Sequence, residues 1–184
     1  MKVVCPPTYD RQDFSDKKGV FLAGSIEMGK AEPWQDKVAA ALADLEGTIY
    51  NPRRPDWDSS WVCSIDNKQF KQQVHWELAH LLTCQIAAFY FDPRTTSPIS
   101  MMELGLVLGK HYFDKLIVCC PEGFWKKGNV DVTLSFFDHS YFTERNEKLV
   151  QINNLDELIG ALRVAIPEVA ASEKWLAERR LNRR

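Results

Sequence analysis

The 184-residue chain is short of several features that would announce a specialised class. No run approaches the ~18 apolar residues needed to span a bilayer, and Met1 to Asp10 lack the apolar centre of a secretory signal. Charge of one sign is also missing. Twenty-three Lys+Arg stand against twenty-five Asp+Glu, so no global basic field favours nucleic acid. The five cysteines (Cys5, Cys63, Cys84, Cys119 and Cys120) are odd in number and have no zinc spacing, which suits reduced thiols in a cytoplasmic protein. His75, His80, His111 and His139 make no metal pattern, since His75 and His80 diverge on a helix. Gly24 and Gly29 form neither a dinucleotide fingerprint nor a P-loop, so no cofactor is expected. Repeats and low-complexity tracts are lacking too.

What remains is an ordinary globular composition, 45% hydrophobic and 26% charged, organised as short apolar runs between longer periodic ones. Residues 1–18, with Pro6-Pro7 and the polar run Tyr9 to Lys18, read as an irregular lead-in. Strands are predicted at Val20–Ala23, Thr48–Tyr50, Ile86–Phe91, Leu116–Cys119 and Leu149–Ile152. Helices are predicted from about Pro33 to Gly47, Ile65 to Thr83, Pro98 to Lys110 and Leu155 to Ile166. Ser97 supplies a capping hydroxyl before Pro98. Glu122 to Tyr141 is ambiguous, and residues 167–184 form a helical tail with a basic end. Apolar strands alternating with helices predict an α/β domain over 19–166 with a five-stranded parallel sheet, doubly wound and flavodoxin-like in the order 2-1-3-4-5.

Such a sheet binds ligands beyond the carboxyl ends of its strands, where the winding reverses. Two loops meet there: Ala23, Gly24 and Ser25 onward to Gly29, and Asp92 to Ser97. The loop Arg53 to Ser64 can arch over them. Its Trp57 and Trp61, with Arg53 and Asp56, read either as a lid that stacks on a base or as a loop pinned to the core. Two acids stand out beside this crevice. Glu103 falls at the i+4 position of the stripe Ile99, Met102 and Leu106, about 7 Å along its helix. Glu77 completes a face with Phe70, Val74 and Leu81. An inward carboxylate must be paired, hydrogen-bonded or protonated. Each acid alone suits a salt bridge or a half-wet edge, whereas two beside one crevice suit glycosyl transfer, one attacking an anomeric carbon and the other assisting departure.

Four segments in order carry a family likeness: Val20-Phe21-Leu22-Ala23-Gly24-Ser25-Ile26, Tyr50-Asn51-Pro52-Arg53-Arg54-Pro55-Asp56-Trp57-Asp58, Phe89-Tyr90-Phe91-Asp92-Pro93 and Ser97-Pro98-Ile99-Ser100-Met101-Met102-Glu103-Leu104-Gly105. Over roughly Gly19 to Asp131 the chain resembles the nucleoside 2-deoxyribosyltransferase superfamily, especially its divergent branch with Phe-Leu-Ala-Gly-Ser-Ile. The resemblance implies that Glu103 is a nucleophile that attacks C1′ of a 2′-deoxynucleoside or nucleotide and holds the sugar covalently, and that a second base or water then takes it with retention. Glu77 matches the family's positioning acid, and Asn129 resembles an asparagine donated to a neighbouring subunit. A homo-oligomer with sites near its interfaces is therefore implied, with contact to substrate from Ala23, Gly24, Ser25, Arg53, Asp56, Trp57, Asp92, Ser97, Met102 and Asn129. The chain departs from the pattern in two places: Ser97 stands where better-known members have an acid, and the C-terminus ends Arg179-Arg180-Leu181-Asn182-Arg183-Arg184. These departures suit a rival reading, a non-catalytic nucleotide-binding or sensing module. A flavodoxin-type electron carrier is a third.

Overall fold

The computed structural model describes residues 1–8, 19–27, 30–110, 114–140 and 148–181. The polar run Tyr9 to Lys18, Met28, Gly29, His111, residues 182–184 and the side chains of His139, Arg179 and Arg180 lie outside the described residues.

Eleven elements alternate along the chain: β1 Lys2–Val4, β2 Gly19–Gly24, α1 Trp34–Ala41, β3 Thr48–Tyr50, α2 Lys68–Leu81, β4 Ile86–Tyr90, α3 Pro98–Lys110, β5 Lys115–Cys119, α4 Lys127–Ser140, β6 Lys148–Ile152 and α5 Leu155–Leu181. All pairings are parallel, and the order is β1-β3-β2-β4-β5-β6. The five expected strands stand in the expected order. The sheet gains a short edge strand, β1, from the segment read as irregular; three residues are too few to show a period.

Every residue of β2 and β4 is buried, because both faces of the sheet are covered. The period of two sorts their side chains. Phe21, Ala23, Ala87, Phe89, Leu116 and Val118 pack with Trp76 of α2, Leu104 and Leu108 of α3, and Val130 and Leu134 of α4. Val20, Leu22, Ile86, Ala88, Ile117 and Cys119 face Trp34 and Val38 of α1, and Leu158 and Leu162 of α5. The segment from Glu122 resolves as a short turn followed by α4. The helix expected to end near Ile166 runs on through Pro167 to Leu181.

The switch point lies between β2 and β4, where Tyr90 pairs with Gly24. Its φ is +136°, and a Cβ built there would sit 2.2 Å from the Tyr90 carbonyl oxygen. Gly24→Ala is therefore expected to cost about 2–4 kcal/mol, through a backbone clash and a disfavoured φ together. The urea midpoint checks this.

Candidate active site

The two loops that leave β2 and β4 are sewn together by buried hydroxyls. Ser25 N–H donates to the Tyr90 carbonyl at 2.9 Å, and Asp92 N–H donates to Ser25 Oγ at 2.8 Å. The hydroxyls of Ser25, Thr95 and Ser97 form a triangle with sides of 2.5, 2.8 and 2.8 Å. Ser97 was expected to cap α3, yet its hydroxyl is spent in this triangle. Glu27 serves the helix start instead. Its Oε1 accepts from Thr96 N–H at 2.6 Å, from Thr96 Oγ1 at 2.9 Å and from Ser97 N–H. Burial opposes the Glu27 charge, but the hydrogen bonds from Ser97 and Thr96 outweigh it and hold the carboxyl below its ordinary range.

Asp92 is likewise committed within the protein. Arg94 donates to its Oδ1 from the backbone and from Nε, both at 2.9 Å, and to Oδ2 from Nη2 at 2.5 Å. Glu32 N–H adds a bond at 3.2 Å. The Arg94 guanidinium chiefly keeps Asp92 below the usual carboxylate range, so the side chain is an anionic clamp on its own loop.

Glu103 and Glu77 differ from every other acid at this edge. Glu103 is 7% exposed, beside Ser100, Leu104 and Val107 on the inner face of α3. The Ile99, Met102 and Leu106 stripe that predicted this orientation points the other way: those side chains are 59%, 60% and 41% exposed. A helix apolar on nearly all sides has no unique apolar stripe, so periodicity picks the wrong flank while the acid still falls inward. On α2 the buried ridge is Gln73, Trp76 and His80, with Leu81, and Glu77 lies at its edge. Phe70 and Val74 are only half-buried. Gln73 Nε2 donates to Glu77 Oε1 and to the Pro52 carbonyl, both at 2.9 Å.

Burial pushes the Glu77 carboxyl up to about 7, against the pull of the Gln73 hydrogen bond. Burial, with the negative charge of Glu77 added, pushes Glu103 up to about 8. No cation acts on either acid among the described residues. Near neutral pH such a pair still holds protons that ordinary glutamates have released. A carboxylate and a carboxylic acid brought together can serve as nucleophile and proton donor.

The remaining candidates are scattered. Ala23 is a core residue whose side chain faces α2 and α3. Arg53 turns towards α1: its Nε donates to Gln35 Oε1 at 2.7 Å and its Nη2 to the Glu32 carbonyl at 2.7 Å. Asp56 is exposed and pairs with Arg54 at 2.8 Å, while Arg54 lies over the Trp61 ring. Trp57 meets Trp61 edge-on at 5.1 Å. The long loop thus folds partly on itself and is tied to α1 by Arg53 and to α2 by Arg54, whose Nη1 donates to Gln72 Oε1 at 3.4 Å. Met102 and Asn129 are exposed, on α3 and on the first turn of α4.

Four residues escaped the sequence reading: Gln73, Glu27, Arg94 and Trp125, whose Nε1 donates to the Thr96 carbonyl at 3.0 Å. Glu27 and Arg94 lie within the two loops that the sequence singles out, and Gln73 stands one turn before Glu77. Burial raises the thiols of Cys119 to about 12 and Cys120 to about 11, which is the behaviour of core cysteines. No cluster of three or more metal-ligating side chains occurs among the described residues, and no described helix is long and apolar enough to cross a membrane.

Doubly wound parallel sheets bind small molecules at the carboxyl edge of their strands, and carboxyls shifted by burial often mark such sites. The chain belongs to the family described as nucleoside 2-deoxyribosyltransferase like, whose profile matches residues 17–124. The match covers the two loops and both acids, and supports an enzyme of this kind. No curated protein matches the chain.

Proposed function

We propose that the protein breaks or transfers the N-glycosidic bond of 2′-deoxynucleosides or their nucleotides, with Glu103 as nucleophile and Glu77 as the neighbouring acid. The observation that carries this reading is a pair of acids without a cation, Glu103 buried on α3 and Glu77 half-buried on α2, the two helices that flank β4 in the chain, with both carboxyls pushed up by desolvation. A role in stability would pair each acid with a base. In the first step a carboxylate oxygen of Glu103 bonds to C1′ as the C1′–N bond breaks. The bonding pair leaves with the base, which takes the proton of Glu77. In the second step an acceptor base or water attacks C1′, returns its proton to Glu77 and frees Glu103. Two inversions give retention. No cofactor enters these steps.

Incubation with a deoxynucleoside and a free acceptor base tests the reading. Base exchange, or release of base and sugar, is expected. Tight nucleotide binding without turnover over a broad panel of bases would favour the non-catalytic module instead.

The reading includes a homo-oligomer. The outer face of α3 presents Ile99, Met102, Gly105, Leu106 and Gly109 without a charge, and Val132 (70% exposed) and Phe136 (59%) extend an apolar surface on α4. Asn129 lies one turn before Val132 on this exposed flank, which supports its reaching a neighbouring copy. Met102 is exposed on the outer face of α3 rather than turned inward. Leu106→Glu is expected to dissociate the assembly, as read by sedimentation; a wild type already monomeric at high concentration would contradict this.

A further inference from the structure

The Gln73 side chain is 5% exposed, and its amide is only half satisfied. Nε2 uses both hydrogens, on the Pro52 carbonyl and on Glu77 Oε1. Oε1 is buried and has no hydrogen-bond partner. An orphaned buried acceptor is destabilising, and folded proteins seldom leave one without a reason. The two Nε2 bonds fix which way the amide faces, because a flip would set Oε1 against the Pro52 carbonyl. A donor must therefore come to Oε1.

The chemistry of the neighbour supplies one. A carboxylic acid that accepts an amide N–H on one oxygen can donate from its other oxygen to the carbonyl of the same amide, closing a ring of two hydrogen bonds. Ionised Glu77 can use only Nε2, whereas protonated Glu77 can use both ends of Gln73. Glu103 receives no comparable hydrogen bond from a described residue. We propose that Gln73 is a positioning residue that holds the single proton of the acid pair on Glu77 and so leaves Glu103 as the free carboxylate. This rests on the reading of Glu103 as nucleophile, and it gives the resting protein an armed nucleophile beside a loaded proton donor. The groups around the pair are few. Glu103 faces Glu77 from α3, and His80 follows Glu77 by one turn of α2, with its Nδ1 2.8 Å from the Trp76 carbonyl and its ring against Tyr50 and Trp76.

The direction of the proton opposes a simple ranking of the two acids by burial and charge, which favours protonating Glu103 first. The empty acceptor of Gln73 adds to neither burial nor charge, and it is what reverses the order.

The test is carbon NMR of full-length protein labelled at the glutamate side-chain carboxyls, titrated through neutral pH and assigned with Glu77→Gln and Glu103→Gln. In the otherwise unaltered protein, the protonated signal at neutral pH should be the one lost in Glu77→Gln. Gln73→Met should move the proton to Glu103. It should also shift the acid limb of kcat upward by about one pH unit, a tenfold loss at its foot, with KM little changed. A protonated signal that belongs to Glu103 in the unaltered protein overturns the proposal, and that arm needs no change at Gln73. So does a proton that stays on Glu77 in Gln73→Met. Both NMR arms read out without substrate, so a protein that turns over no nucleoside would defeat the proposed function and still decide this inference.

Discussion

Glu103→Gln is expected to abolish turnover of deoxynucleosides, by ~10³-fold or more in kcat, while nucleoside binding changes little. The amide keeps the shape and burial of the side chain but has no lone pair basic enough to bond to C1′. Glu77→Gln should be milder and depend on the leaving group. Departure of a base that is already a stable anion needs little help from an acid, so its turnover should fall least. Steady-state kinetics on a series of bases separate the two roles. A Glu103→Gln variant with unaltered kcat would exclude the nucleophile assignment.

The second large effect is on stability. Both acids are pushed above the ordinary glutamate value by burial, Glu77 to about 7 and Glu103 to about 8. The sign follows from proton counting. Between about pH 4.5 and pH 8 the folded pair keeps protons that the unfolded chain has already released, so stability falls as pH rises through that window. The slope is about 1.4 kcal/mol per pH unit for each proton retained. Glu27 and Asp92 act in the opposite sense, since their carboxyls are held low: their contribution is present above the ordinary carboxylate range and is lost as pH falls below it. Stability should therefore peak near the foot of the neutral window. Glu103→Gln, which cannot ionise, is expected to gain about 2–4 kcal/mol at pH 8 and to flatten the decline. Urea unfolding at several pH values measures it. A variant that is inactive yet more stable marks a site kept for chemistry.

The architecture was largely legible in the sequence. Runs such as Val20–Ala23 and Ile86–Phe91, apolar throughout and ended by Gly24 or Asp92-Pro93, admit few readings beyond buried parallel strands. The edge strand at Lys2–Val4 was not legible, since three residues at a sheet margin carry little pattern. The site was legible at its two acids because carboxyls on helix faces beside a switch point are chemically conspicuous. The apolar stripe of α3 points outward instead, because an apolar interior and an apolar exterior look alike in a helical wheel; what separates them is the packing of Leu104, Val107 and Leu108 in the core, a tertiary fact. Asp92 and Ser97 sat where expected but are bound within the protein by Arg94 and by Ser25 with Thr95, and such pairings across loops leave no periodic trace. Gln73 stayed hidden for a similar reason: an amide becomes informative only once its partners can be counted.

The covalent intermediate is the most direct point of attack. Rapid acid quenching of the protein with a 2′-deoxynucleoside, proteolysis and mass spectrometry should find a deoxyribosyl ester on the peptide that contains Glu103, and lose it when an acceptor base is added before the quench. Free base formed at full rate with no sugar on that peptide, or an ester mapped to another residue, would contradict the mechanism.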